Sequence, residues 1–229
     1  MTRAPSVARL RIAAVIAAAA HVLAGLAAAR YLLPAVPAGP VAERLAYVQT
    51  VGWGWRLAWL AWVIAGATLV WVLVLVHRTW TASASLAALW SASVALGVDT
   101  LCDGLQAWWM PRLAHLDEAS FLAVERWLVL GGYVVANGLY SVAALLGTWV
   151  VADRGGRVVL VTGLPLAVAA LCLAWAAAVT RYDLASGLAA ATVALAVPWL
   201  LHLGWNPALD GHPRPAARRI GAGEPRSGM

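Results

Sequence analysis

The chain has 229 residues, of which 63% are hydrophobic and only 11% charged. A soluble domain is nearer half apolar and a quarter charged, so the excess fits lipid as the solvent and excludes an ordinary globular core. The formal net charge of +6 is carried by Arg alone, with no Lys. These arginines sit at segment ends and in the tail, a pattern of membrane topology that speaks against nucleic acid as a partner. An Ala- and Arg-rich, Lys-free composition points to a GC-rich bacterial genome.

Six apolar segments near the twenty residues a bilayer needs are expected at 10–33, 53–77, 84–110, 126–152, 157–180 and 184–204. The fold class is therefore all-α: a polytopic bundle of six transmembrane helices, with short amphipathic helices on its outer side. The six-helix domain spans 1–205, and 206–229 is a disordered basic tail able to touch anionic lipid.

The first segment follows Arg3, Arg9 and Arg11 and is read as a spanning helix. A cleaved signal peptide is the alternative, since 24–30 (AGLAAAR) offers small residues, but the apolar run is long for one. Ala13, Ala17, His21, Gly25 and Ala29 form a small-residue ridge at four-residue spacing, suited to close helix packing. Residues 34–52 open with prolines that stop the helix. From Pro40 they offer a short helix with Val41, Leu45 and Val48 on one face, expected on the membrane surface.

The third segment carries Asp99 and Asp103. Residues 111–125 follow, with Asp117 as the expected N-cap and Glu118 favourable in the first turn of a helix that can run straight into the fourth segment. In the sixth segment Gly187, Ala191 and Ala194 form a second small-residue face. Trp53, Trp55, Trp108, Trp109, Trp127 and Trp205 fall at segment ends, as an interfacial belt requires. Trp62, Trp71, Trp90 and Trp175 are deeper and are expected to be packing residues. Cys102 and Cys172 are read as small buried hydrophobes. No internal repeat relates the two halves.

With the N-terminus inside, ten arginines fall on the cytoplasmic side: Arg3, Arg9, Arg11, Arg78, Arg154, Arg157, Arg214, Arg218, Arg219 and Arg226. Six fall outside: Arg30, Arg44, Arg56, Arg112, Arg126 and Arg181. The excess puts both termini in the cytoplasm of a cell whose inner (plasma) membrane the chain crosses repeatedly.

Ionisable residues at bilayer depth are costly and mark pathways, relays or sites. Asp99 and Asp103 lie four residues apart, on one helix face. At about 1.5 Å per residue, Asp99 is near the midplane and Asp103 about 6 Å toward the outer side. Gln106 continues that face. The fourth segment offers a matching stripe of Tyr133, Asn137, Tyr140 and Ser141. His21 stands mid-depth in the first segment, and Arg56 a turn inside the outer end of the second. Polar groups in lipid must find partners, so these faces are expected to meet around a small polar cavity open to the outside. The two carboxylates would act there as one proton-sharing pair. The competing reading is structural: the aspartates as glue to Asn137, Tyr133 or a backbone carbonyl, His21 as a packing residue, and Arg56 snorkelling outward.

The run from Asp99, D-T-L-C-D-G-L-Q-A, approaches the signature of the CDP-alcohol phosphotransferases. Gly104 and Ala107 fit it. Three residues separate the aspartates where that family has two, Trp108 stands at its Arg, and its later aspartate pair is missing, so the metal–diphosphate site it implies is incomplete. The G-x-G-D context of an intramembrane aspartyl protease is absent. Metal binding by His21, Asp99 and Asp103 is chemically possible but has no paired-His spacing behind it, and His202 is at the wrong depth for a haem site, so no metal is assigned and the cofactor is unknown. What the sequence supports is an intramembrane pocket centred on Asp99 and Asp103 that binds or moves protons, a small molecule or a lipid-like ligand. Two alternatives stand beside it: an enzyme acting on a lipid or isoprenoid with the pair as general acid and base, and an accessory subunit whose aspartates pair with a membrane protein partner.

Overall fold

The computed structural model describes residues 4–206. Among them the chain is helical throughout, with no strand. The helices are α1 (Ala4–Tyr31), α2 (Val41–Thr50), α3 (Trp53–Thr79), α4 (Ser83–Trp108), α5 (Met110–Leu116), α6 (Glu118–Leu128), α7 (Asn137–Asp153), α8 (Val159–Ala178) and α9 (Tyr182–Gly204). A π-helical stretch, Val129–Ala136, joins α6 to α7 without a break. Six rods are long and apolar enough to cross a membrane: α1, α3, α4, the continuous Glu118–Asp153 rod, α8 and α9.

These six form a closed ring in chain order, each packed on the next, with α9 returning to α1. The small residues of α1 make that closure. Ala13 and Ala17 are fully buried, and a Cβ at Gly204 of α9 would stand 2.7 Å from the Cβ of Ala14. Further along the seam Gly25 meets Val193. Small residues let two backbones approach, and in lipid that contact supplies much of the association energy.

The two ends differ. At one, short connections link α3 to α4 and α7 to α8. The bundle there is filled by Val72, Leu73, Val76, Val151, Trp199, Leu200 and Leu203. Its few polar groups pair locally: Trp199 Nε1 donates to Thr148 Oγ1 (2.9 Å), His77 meets Ser85 (2.8 Å) and His202 meets Thr162 (3.1 Å). The other end is capped by a 3-10 turn (Leu33–Ala35), α2, α5 and α6. Gly52 links α2 to α3 at φ +62°, a left-handed conformation that suits glycine. Asp117 caps α6 as expected, accepting from Ser120 N–H at 2.7 Å.

A buried ion pair between Arg44 of α2 and Glu125 of α6 ties this cap together. Gln49 adds a bond to the Ala114 carbonyl (2.5 Å), and Tyr47 one to the Tyr31 carbonyl (3.1 Å). The inward face of α2 thus includes Arg44 with Val48, beyond the expected apolar set.

Three packing expectations are corrected. Trp71, Trp90 and Trp175 are 41%, 65% and 60% exposed on the bundle's perimeter. Cys172 is exposed as well, whereas Cys102 is buried. In a lipid-facing bundle large apolar side chains belong outside as readily as inside, so depth along a helix does not imply burial. Gly187, Ala191 and Ala194 also lie exposed, and nothing stands within 4 Å of a Cβ built on Gly187. In a chain this rich in Ala, small-residue spacing recurs on faces that contact no helix. The disordered tail expected at 206–229 lies, beyond Asn206, outside the described residues.

Candidate binding cavity

Inside the ring, between the packed short-loop half and the cap, lies a cavity of about 540 Å³. Leu69, Ala144, Leu166, Trp199 and Leu200 form its floor. One wall is polar: Asp99, Asp103 and Gln106 from α4, Tyr133 from the π stretch, and Asn137 and Tyr140 from α7. His21 of α1 joins them. The remaining walls, from α1, α8 and α9, are mostly aliphatic, with Ser186 and Thr192 as the polar exceptions.

The third and fourth spanning rods meet so closely because of two glycines. A Cβ at Gly131 would fall 2.5 Å from Cys102 Sγ, and one at Gly132 would lie 3.7 Å from Cys102 Cβ and 3.8 Å from an Asp99 carboxylate oxygen. Twin glycines in the π stretch therefore bring that backbone against the carboxylate face of α4. A π segment widens the helix by one residue per turn and is often found at functional sites. Here the Gly132 carbonyl accepts both the backbone N–H of Asn137, the bond of the π stretch, and Asn137 Nδ2 (3.1 Å). The second bond fixes the amide and leaves Asn137 Oδ1 as an acceptor on the cavity wall.

Asp103 is only 4% exposed, and its Oδ2 has no hydrogen-bond partner among the described residues. Asp99 is half-buried and faces the Tyr140 hydroxyl, which turns toward it without closing a hydrogen bond. His21 Nδ1 donates to the Ala17 carbonyl at 2.8 Å. A carbonyl can only accept, so Nδ1 carries a proton, and in the neutral ring Nε2 is an acceptor. The Trp55 indole binds the Gln106 backbone carbonyl (2.7 Å), which leaves the Gln106 side chain to the cavity.

Seven of the expected site residues therefore share one cavity: Asp99, Asp103, Gln106, Tyr133, Asn137, Tyr140 and His21. Arg56 is not among its lining residues. Its guanidinium lies over the rings of Trp53 (4.8 Å) and Trp108 (4.5 Å), beside a separate pocket of about 200 Å³ shared with Arg112 and His115. Ser141 turns back to its own helix, donating to the Asn137 carbonyl at 2.7 Å.

Sequence reasoning missed the α8 and α9 walls, Cys102, and the aromatic lining from Trp59 and Trp62. The stripe Ser186, Ala189, Ala190, Val193 and Val197, spaced at three and four residues, was the available signal for α9. The buried Arg44–Glu125 pair had none, because its partners are 81 residues apart.

The cavity also reaches the perimeter. Val22, Leu26 and Leu33 line it and are 42%, 63% and 54% exposed. Its rim thus runs along α1 on the surface that lipid would cover, beside the first half of α9. Comparison of the chain with protein-family profiles, characterised proteins and solved structures yields no match.

Proposed function

We propose that this chain is a multi-pass protein of a bacterial inner membrane whose ring cavity binds a lipid-like molecule. Asp99 and Asp103 receive its polar end. Both termini are cytoplasmic, and α2, α5 and the start of α6 lie at the outer interface.

One observation carries the reading. A mostly aliphatic cavity is bounded by exposed apolar residues at its rim and by a buried, unpartnered carboxylate oxygen at its depth. Binding sites for small ligands have this composition: apolar walls and a few placed polar groups that fix orientation. A lipid-like molecule can enter between α1 and α9 from the bilayer and bring its polar end to the acceptors. The inward-facing carboxylates argue against an accessory role in which they reach a partner's arginine. The same lateral access supports a second reading, chemistry on the bound molecule with the carboxylate pair as acid and base.

The test is mass spectrometry of the purified chain under non-denaturing conditions. The wild type is expected to retain one lipid-like molecule. Ala190→Trp, placed at an exposed position on the rim, should release it, and so should Asp99→Asn with Asp103→Asn. Equal retention by all three refutes the reading. Recovery of a chemically altered molecule on prolonged incubation selects the enzyme reading.

A further inference from the structure

Among the described residues, the polar wall of the cavity contains two carboxylates and no guanidinium. Arg44 is held by Glu125, Arg56 lies between Trp53 and Trp108, and Arg30 lies over Tyr31 at 5.5 Å. None of the three lines the cavity. Among the described residues His21 is the basic side chain that does, and in its neutral form Nε2 is an acceptor. Asn137 Oδ1 adds another acceptor, one of the two N–H donors of its amide being taken by the Gly132 carbonyl. Asp103, at 4% exposure, holds an oxygen with no partner. The wall thus presents two carboxylates with no fixed cation among the described residues, and its donors are neutral ones: the hydroxyls of Tyr133 and Tyr140, the Gln106 amide and the Trp59 indole N–H. A buried carboxylate in that position needs a proton, a cation or a donor-rich group.

A second feature of the same cavity is independent of the carboxylates. Four aromatic side chains, Trp59, Trp62, Tyr133 and Tyr140, line it around them. Ring faces attract cations, ammonium groups above all, and sites that recognise ammonium ligands combine such rings with nearby negative charge. An inorganic metal ion does not fit: it needs several oxygens converging at short range, and a mostly aliphatic cavity of about 540 Å³ offers two carboxylates on one wall. A phosphate or carboxylate head would bring like charge against the two carboxylates, with no guanidinium among the described lining residues to offset it.

We infer that the molecule taken into this cavity is a lipophilic amine, its ammonium set between Asp99 and Asp103 and its apolar body along α1 and α9. This rests on the lipid-like reading above and narrows it to one head-group class. The primary ammonium has three N–H donors to distribute among the carboxylates, His21 Nε2 and Asn137 Oδ1. Its chain follows Val193 and Leu26 toward the rim.

The experiment uses the full chain in nanodiscs of phosphatidylcholine, with empty nanodiscs as the blank. Three probes share one dodecyl chain and end in ammonium, hydroxyl or phosphate. Saturable binding above the blank is measured for the wild type, Asp99→Asn, the double variant Asp99→Asn with Asp103→Asn, and Ala190→Trp, each checked for helicity by circular dichroism. Charge-assisted hydrogen bonds are about twice as strong as neutral ones, so the ammonium probe should bind at least about tenfold tighter than the hydroxyl probe. Phosphate should not bind saturably. The double variant should lose the ammonium preference while still holding the hydroxyl probe, and Asp99→Asn gives the same readout, weaker, where the double variant does not fold. Equal binding of ammonium and hydroxyl probes by the wild type, or tighter binding of phosphate, overturns the amine assignment and leaves the lipid-like cavity standing. Binding that Ala190→Trp leaves untouched, or no binding above empty nanodiscs, overturns both.

Discussion

Replacing Arg44 by Met should cost this bundle more stability than any exposed charge removal, because it leaves Glu125 buried without its partner. The side chains of the pair are 4% and 10% exposed, and Arg44 also lies 6.0 Å from the Phe121 ring centroid. Removing one member of a buried ion pair costs about 3–5 kcal/mol, because the desolvated charge that remains has nothing to offset it. Replacing both by apolar residues of similar volume restores most of that, to within about 1–2 kcal/mol of the wild type. Arg44→Met, Glu125→Leu and the double variant therefore form a cycle whose coupling energy should reach at least about 2 kcal/mol. Arg181 supplies the control. Its pair with Asp183 is exposed, with side chains 61% and 66% accessible, and Arg181→Ala should leave stability unchanged. The assay is equilibrium unfolding in mixed micelles with a rising fraction of denaturing detergent, followed by helical circular dichroism. Single variants that each cost less than about 1 kcal/mol, the range of exposed pairs, would falsify the reasoning, because the pair would then be solvated rather than structural.

Four further outcomes follow from particular contacts. Gly204→Ala should loosen the α1–α9 closure by about 1–3 kcal/mol, since its Cβ would meet Ala14 at 2.7 Å; Ala14→Gly in the same chain should recover it in the same unfolding assay. Trp199→Phe should cost about 1–3 kcal/mol by stranding the fully buried Thr148 hydroxyl, and adding Thr148→Val should return part of it. Gly131→Val should force α4 away from the π stretch, and alkylation kinetics should show the buried Cys102 thiol becoming reactive. The Asp117 carboxyl is held below its usual range by the backbone N–H of Ser120 that it caps. A carboxyl depressed in the folded state stabilises above its unfolded pKa and loses that contribution as pH falls through the folded one. Protection of the Ser120 amide from hydrogen exchange should therefore fall on acidification below about pH 4 in the wild type, and should be low at every pH in Asp117→Ala.

The six rods were legible because each is a long apolar run and their number follows from counting. The Asp117 cap was legible because a capping side chain acts on its own next turn. The carboxylate face was legible for the same reason: four residues along a helix is a local relation, and Asp99 and Asp103 share a cavity with Tyr133, Asn137, Tyr140 and His21. What failed were judgements about which face points where. Trp90 and Trp175 were assigned to the interior by depth alone, yet lipid is as apolar as the interior, so hydropathy carries no sign for inside against outside. The stripe of Gly187, Ala191 and Ala194 failed likewise, because composition made small-residue spacing common. Arg56 went to the Trp53 and Trp108 rings, a choice between neighbours that chain position does not encode.

The cavity itself follows from the ring. Six helices about 10 Å across, packed side by side in a closed circle, enclose a central space about as wide as one further helix. Whether that space is core or cavity depends on the side chains directed into it. In the short-loop half they are Val72, Leu73, Val76, Trp199 and Leu200, all at most 1% exposed, and they meet in the middle. Toward the cap α1 and α9 contribute Ala28, Ala29, Ala189 and Ala190, too small to meet across it, whereas Gly25 and Gly66 are kept small by Val193 and Tyr140 standing against them. The chain thus changes from large to small inward residues partway along one bundle, and at that change stand Asp99 and His21. Filling the upper half would have required only Leu or Phe at a few of these positions. The alanines and the carboxylates occur at the same level of the ring, and each carries a cost: alanines there forgo burial, and carboxylates there forgo solvation. A bound molecule that occupies the space and satisfies Asp103 offsets both costs together, which is the physical reason to look for one in this cavity before any other part of the chain.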